Sequence, residues 1–271
     1  MTPTQEQNRL SRLFEKRSDS AKILSVYFTA GFPNLTDTAP ILETLQECGV
    51  DMVEIGMPFS DPVADGPTIQ ESSTRALQNG MTMEVLFEQL RDIRKTVAIP
   101  LVLMGYVNPV LQFGVERFCD ECASIGIDGV ILPDLPLAVF EAEWKPHFER
   151  ANLHNILLIT PQTSKERVQR IDAASGGFLY AVSSSGTTGN VLAMDDARSA
   201  YFLRLREYRQ EGIVRNPVII GFGIHDKASF DAACSYADGA IIGSAFIQAI
   251  STEDGTLESR IRHFVKSLRP Q

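Results

Sequence analysis

A chain of 271 residues that is 44% hydrophobic can bury a large core, and its length suits either two small domains or one (β/α)8 barrel. A net charge of -9 with no local basic run excludes nucleic acid as a natural partner, because a phosphate backbone needs a basic footprint. An anionic small molecule is still admissible where backbone dipoles capture it.

Along the chain, short apolar runs alternate with amphipathic helical patterns. The first segment is polar, with Arg9, Arg12, Lys16 and Arg17 and no apolar stretch, so it does not read as a signal peptide. Leu10, Leu13 and Phe14 at helical spacing predict a helix there, over residues 9–17. Strands are predicted at 23–30, 51–57, 100–105, 129–132, 155–159, 177–182, 217–221 and 239–242. Helices are predicted between them at 38–48, 68–77, 83–97, 110–125, 139–151, 164–174, 200–212 and 226–236, with a short run at 245–250 after the last strand. Near-continuous apolar strands alternating with helices imply a parallel sheet covered on its outer face. Eight such units favour an α/β fold closed as a (β/α)8 TIM barrel, one domain over residues 1–271, with the additional N-terminal helix across the barrel bottom. An open doubly wound sheet is the competing architecture, but no Gly-x-Gly-x-x-Gly turn follows the first strand.

The apolar runs are strand-length, so no membrane span is expected. Cys48, Cys119, Cys122 and Cys234 are too few and too scattered for a disulfide framework, which fits a reducing cytoplasm. Cys119 and Cys122 have metal-type spacing, yet no second Cys/His pair lies near them, and structural thiols are the simpler reading.

Residues 53–67, Val-Glu-Ile-Gly-Met-Pro-Phe-Ser-Asp-Pro-Val-Ala-Asp-Gly-Pro, carry the most chemistry. Period-2 alternation puts Glu54 on one face with Met52 and Gly56, opposite Val53 and Ile55. A carboxylate among apolar neighbours is either a buried ion pair or a group with a chemical task, and burial raises its pKa toward the range of a useful proton donor. Asp65 follows in a loop punctuated by Asp61-Pro62 and Gly66-Pro67, where turn or capping chemistry is the plain alternative. Two carboxylates in different surroundings at one strand end are how a site separates donor and acceptor roles.

Active residues of such barrels sit at the C-terminal strand ends. Tyr106 and Asn108 follow strand three, Pro133 to Pro136 follow strand four, Tyr180 lies in strand six, and a Ser/Gly/Thr loop runs from Ser183 to Gly189. Gly221 and Gly223 end strand seven, while Gly243 and Ser244 end strand eight and open a short helix. Glycines at successive strand ends expose backbone N–H groups where barrels of this kind bind phosphate. No lysine falls within a predicted strand, as a Schiff-base aldolase would need, and the four histidines are too scattered to gather a catalytic metal. If the site breaks a carbon–carbon bond, the electron sink has to belong to the substrate.

Taken in order, the run from Glu54 to Gln70, Tyr106-Val-Asn-Pro109, Asp134-Leu-Pro136, the loop ending at Gly189, Gly221-Phe-Gly223 and Gly243-Ser244 resemble the tryptophan synthase α subunit family from end to end. The resemblance implies cofactor-free retro-aldol cleavage of indole-3-glycerol phosphate to indole and glyceraldehyde 3-phosphate, with the C3-protonated indole as electron sink. It assigns proton delivery to Glu54 and contact with the indole N–H to Asp65. Tyr180 matches the family's site tyrosine, Gly189, Phe222, Gly223, Gly243 and Ser244 match its phosphate-binding positions, and Thr188 matches the partner of Asp65 on lid closure. Ser184 stands where an arginine is frequent and Thr187 where a valine is common, so the latching of that lid departs from the pattern. The implied partner is a β subunit that holds pyridoxal phosphate, in an α2β2 complex. Interface candidates are Pro58, Asp61, Asn108, Pro109 and Pro136. A free-standing indole-releasing lyase, a non-catalytic phosphosugar-binding regulatory subunit and another phosphate-handling barrel, such as a sugar-phosphate isomerase, are the alternatives.

Overall fold

Strands rich in Val, Ile and Leu pack well on both faces of a parallel sheet, and the first of them is buried at every position. A computed structural model describes residues 7–16, 18, 21–182, 196–221 and 223–269. In chain order it begins with α1 (Arg9–Lys16), β1 (Ile23–Thr29), α2 (Thr38–Glu47), β2 (Met52–Gly56), α3 (Pro67–Gln78) and α4 (Met83–Leu90). Next come β3 (Leu101–Met104), α5 (Val107–Phe113), α6 (Val115–Ile125), β4 (Gly129–Ile131) and a helical stretch, α7, from Leu137–Val139 through a π turn at Phe140–Trp144 into Lys145–Arg150. The fifth strand, β5, has two pieces, His154–Asn155 and Leu157–Ile159, and leads to α8 (Lys165–Ala174), β6 (Leu179–Val182) and α9 (Asp196–Gln210). The chain ends with β7 (Val218–Gly221), α10 (Lys227–Cys234), β8 (Gly239–Ile242), α11 (Ser244–Ser251) and α12 (Leu257–Leu268).

All pairings are parallel, and β1 lies between β2 and β8. The first piece of β5 pairs with β4 and the second with β6, so the sheet closes on itself into a barrel through one strand interrupted at Ile156. The register places Tyr27 opposite Glu54 and Glu54 opposite Val102, one layer of side chains turned to the interior. On the other half of the wall, Tyr180 lies between Leu158 and Ile219.

Helix α1 covers the barrel bottom under β4 to β6. Asn8, just before it, donates to the carbonyls of Asp128 and Asn152, each at 2.8 Å. Ser11 lies 2.8 Å from His154, and the Phe14 ring packs 6.0 Å from Phe178. At this same end, acids just ahead of β2, β4 and β8 accept an N–H at the start of the strand before. Asp51 takes Leu24 N–H at 2.8 Å, Asp128 takes Leu101 N–H at 2.9 Å, and Asp238 takes Val218 N–H at 2.8 Å. Each is also paired with an arginine: Arg269, Arg94 and Arg209 respectively.

Tertiary contacts cut two expected helices. The pattern over 83–97 ends as a helix at Leu90 and becomes a 3-10 turn at Ile93–Lys95, from which Arg94 reaches Asp128 at 2.6 Å and the carbonyls of Gly126 and Ile99 at 2.7 Å. The pattern over 110–125 begins earlier, at Val107, and breaks at Gly114, whose φ of 96° only glycine adopts without strain. Helix α12 lies beyond the predicted elements; Thr256 caps it through Ser259 N–H, and Ile261, Phe264, Val265 and Leu268 form its buried stripe. Among the described residues no helix is long and apolar enough to cross a membrane.

Asp128, 1% exposed, holds the Arg94 guanidinium against a burial that draws its pKa down to about 10. Asp128→Ala would leave that cation without its counter-ion and the Leu101 N–H without its acceptor, so it is expected to cost about 3 to 5 kcal/mol. Removing the exposed Glu116 partner of Arg150 should barely move the midpoint. Urea unfolding of both variants checks this, and equal midpoints would rule out the bottom clamp as a source of stability.

Candidate active site

The side chains that open the upper half of the barrel are positioned by glycines. A Cβ on Gly56, at the end of β2, would lie 2.2 Å from the Tyr27 hydroxyl, and one on Gly221, at the end of β7, would lie 2.1 Å from the Tyr180 hydroxyl. Each tyrosine therefore rests over the terminal glycine of the next strand. The opposite edge of the Tyr27 ring meets the end of β8, where a Cβ on Gly243 would approach its Cδ1 to 3.3 Å. Tyr27 thus spans the floor from the glycine-rich end of β8 to the acidic end of β2.

Glu54 is fully buried in that floor. Ser25 donates to its Oε1 at 3.2 Å, while Oε2 is buried with no hydrogen-bond partner among the described residues. Burial disfavours the carboxylate and pushes its pKa up to about 8, with the Ser25 bond opposing. Asp65 is only partly buried and differs in kind. Tyr106 donates to its Oδ2 at 2.8 Å and accepts the Ala64 N–H at 3.1 Å, so one phenol clamps both ends of the acidic turn. The Phe59 ring lies 5.2 Å from the Tyr106 ring and Gln70 donates to the Asp65 carbonyl at 2.8 Å, fixing the loop on either side. Gly66 and Pro67 start α3. Burial raises the Asp65 pKa and the Tyr106 bond lowers it.

Asp65 and Tyr106 open onto one cleft, lined also by Tyr27, Met57, Phe59 and Met104. Burial, and then the charges of Glu54 and Asp65, hold the Tyr180 phenol well above its ordinary pKa, which places both acids within electrostatic reach of it. The same two acids act on Tyr27, again after burial. Both phenols stay neutral donors across the physiological range.

Of the residues singled out by sequence, Asp65 lines this cleft, while Glu54 and Tyr180 are buried in the barrel wall within electrostatic reach of one another. Gly243 and Ser244 begin α11 beside the Tyr27 ring, and Gly223, with φ of 79°, follows the neighbouring β7. Thr188, Gly189 and Phe222, together with Ser184 and Thr187, lie outside the described residues. Cys119 and Cys122 are fully buried on α6, one helical turn apart, and burial pushes the Cys119 thiol up to about 12. Sequence reasoning missed Ser25 and Tyr27, although both lie two-residue steps apart on the inner face of β1. It also noted Tyr106 without its clamp on Asp65, a contact that only the packing of the β2–α3 loop against the end of β3 creates.

Comparison with known proteins agrees with this geometry. A family model described as Tryptophan synthase alpha chain matches residues 13–269. The tryptophan synthase alpha chain of Flavobacterium psychrophilum is 53% identical over 259 residues, 96% of this chain and 100% of that one. Its counterpart in Parabacteroides distasonis is 52% identical over 246 residues, 91% of this chain and 93% of that one. Among solved structures, a chain of Mycobacterium tuberculosis tryptophan synthase has a TM-score of 0.85 at 32% identity, covering 97% of each chain. Tryptophan synthase subunit alpha of Legionella pneumophila has a TM-score of 0.85 at 31% identity, again over 97% of each. A closed barrel of parallel strands, a buried carboxyl on β2 and a family match running from the first helix to the last establish that the chain belongs to the tryptophan synthase alpha chain family of carbon–carbon lyases.

Proposed function

We propose that Glu54 and Asp65 divide the acid and base work of the family's reaction, cleavage of indole-3-glycerol phosphate to indole and glyceraldehyde 3-phosphate in tryptophan biosynthesis. The observation that carries this reading is the pair of unlike carboxyl groups at one strand end: Glu54 on β2, sealed in with Oε2 unpartnered among the described residues, and Asp65 on the loop that follows, held by Tyr106. A carboxyl with a pKa of about 8 is protonated at neutral pH and can deliver its proton to indole C3. The ring then carries positive charge toward its nitrogen, where Asp65 accepts the N–H and balances that charge. Loss of the proton leaves Glu54 as the base for the glycerol hydroxyl whose deprotonation breaks the carbon–carbon bond. Backbone N–H groups at Gly223, Gly243 and Ser244, with the start of α11, suit the phosphate, and Tyr27 lies between that end and the acids.

In this reading the partner is a pyridoxal-phosphate β subunit in an α2β2 assembly. The exposed apolar side chains Val63 (82%) and Leu111 (54%) support it, since they share the β2–α3 loop and α5 with Pro58, Asp61, Asn108 and Pro109.

Indole release from indole-3-glycerol phosphate should be measurable from this chain and rise on adding a β subunit. No release from folded protein under either condition would defeat the proposal. Glu54→Gln is expected to bind substrate and lose about 10² to 10⁴ in kcat, and Asp65→Asn should also lose turnover. In the wild type kcat should fall above about pH 8 as the Glu54 proton is lost. The same shift has a stability sign. Because the folded-state pKa is raised from 4.5 to about 8, this group's contribution to stability is fully present below pH 4.5 and is lost as pH rises to about 8. Glu54→Gln should therefore melt above wild type at pH 9 and near it at pH 4, and thermal unfolding at the two pH values reads the difference.

A further inference from the structure

A hydroxyl buried in an apolar strand costs stability unless it has an acceptor, and alanine would fill the same space without that cost. Ser25, fully buried on the inner face of β1, has Glu54 Oε1 as its side-chain acceptor at 3.2 Å. It comes one inward position before Tyr27, which pairs with Glu54 in the register, so it approaches the carboxyl from the barrel-bottom side. The second oxygen, Oε2, is equally buried and has no partner among the described residues. One carboxyl group therefore has two unequal oxygens.

From this geometry we propose that Ser25 is a positioning residue for the reaction: by donating to Oε1 it reserves Oε2 as the oxygen that carries and releases the transferred proton. The proposal rests on the reading of Glu54 as the proton donor. In the transfer the Oε2–H bond breaks and its electron pair stays on the carboxyl. The proton forms a C–H bond with the π electrons of indole C3, and the positive charge moves toward the ring nitrogen. Negative charge then spreads over both Glu54 oxygens, and the Ser25 hydroxyl bond to Oε1 becomes charge-assisted. An interaction that strengthens along the reaction contributes to kcat and not to substrate binding. Removing it also removes a stabiliser of the carboxylate, so the proton is held more tightly.

The test compares wild type, Ser25→Ala and Ser25→Thr by two readouts. The ionisation of Glu54 is followed directly through its protonated-carboxyl infrared stretch, identified by its absence in Glu54→Gln, and steady-state kinetics with indole-3-glycerol phosphate give kcat and KM against pH. Ser25→Ala is expected to raise the ionisation of Glu54, and with it the alkaline limb of kcat, by about one pH unit. It should lower kcat about tenfold with KM within about twofold, and Ser25→Thr should restore both. If Ser25→Ala is insoluble, Ser25→Cys, a weak donor of similar size, is expected to show a shift of the same sign. An unmoved ionisation in the Ala or Cys variant, or a loss that Ser25→Thr does not rescue, would overturn the assignment and leave Ser25 a packing residue. Normal turnover in Glu54→Gln would instead remove Glu54 from the mechanism, so the two failures are distinguishable.

Discussion

A carboxyl group sealed inside a barrel wall, with one neutral hydroxyl donating to it, is the constraint around which the upper half of this molecule is built. Water would hold Glu54 ionised and useless as an acid at neutral pH. The wall excludes water on every side, and the neighbouring strands supply phenols and apolar side chains instead of cations. Among the described residues no arginine or lysine forms an ion pair with Glu54, unlike the bottom carboxylates Asp51, Asp128 and Asp238. The same side-chain type thus plays opposite parts at the two ends of one sheet. Below, a guanidinium and strand N–H groups keep the acid in place; above, their absence keeps the proton on.

That polarity suits a fold in which the chemistry is costly. Placing an unpaired acid in the interior lowers stability, and such a cost has to be met by parts that do not take part in the reaction. Helix α1, the acid–arginine pairs and the buried stripe of α12 all lie away from the cleft, where they can be optimised without touching it. The acidic turn is handled differently again. Asp65 stands on a loop, and Tyr106 turns that loop into a defined platform by holding both the Ala64 amide and the carboxylate.

Much of this was legible in the chain itself. The eight apolar runs gave the strands to within two residues at each end, because burial on both faces leaves a continuous apolar signal. Glu54 stood out because an acid interrupts that signal, and Asp65 because Pro and Gly mark the turn around it. The breaks at Leu90 and Gly114 were less visible: the first depends on Arg94 finding Asp128 across the barrel bottom, which no local window contains. Ser25 and Tyr27 were hidden for the opposite reason. Both fit an apolar strand comfortably, and their meaning depends on register with β2, a long-range property. The stripe of α12 is readable in the chain, with Thr256 ahead of it as an ordinary helix start.

The seating of the two phenols over Gly56 and Gly221 also bears on how this family of cavities can change over evolutionary time. Neither glycine can gain so much as a methyl while its tyrosine is in place, since the added atom would fall where the hydroxyl already is. Tyrosine, by contrast, can shrink first without a clash. A side chain at the end of β2 or β7 therefore requires Tyr27 or Tyr180 to move or to become smaller. These wall positions would then covary as pairs, and drift at one would wait on its neighbour.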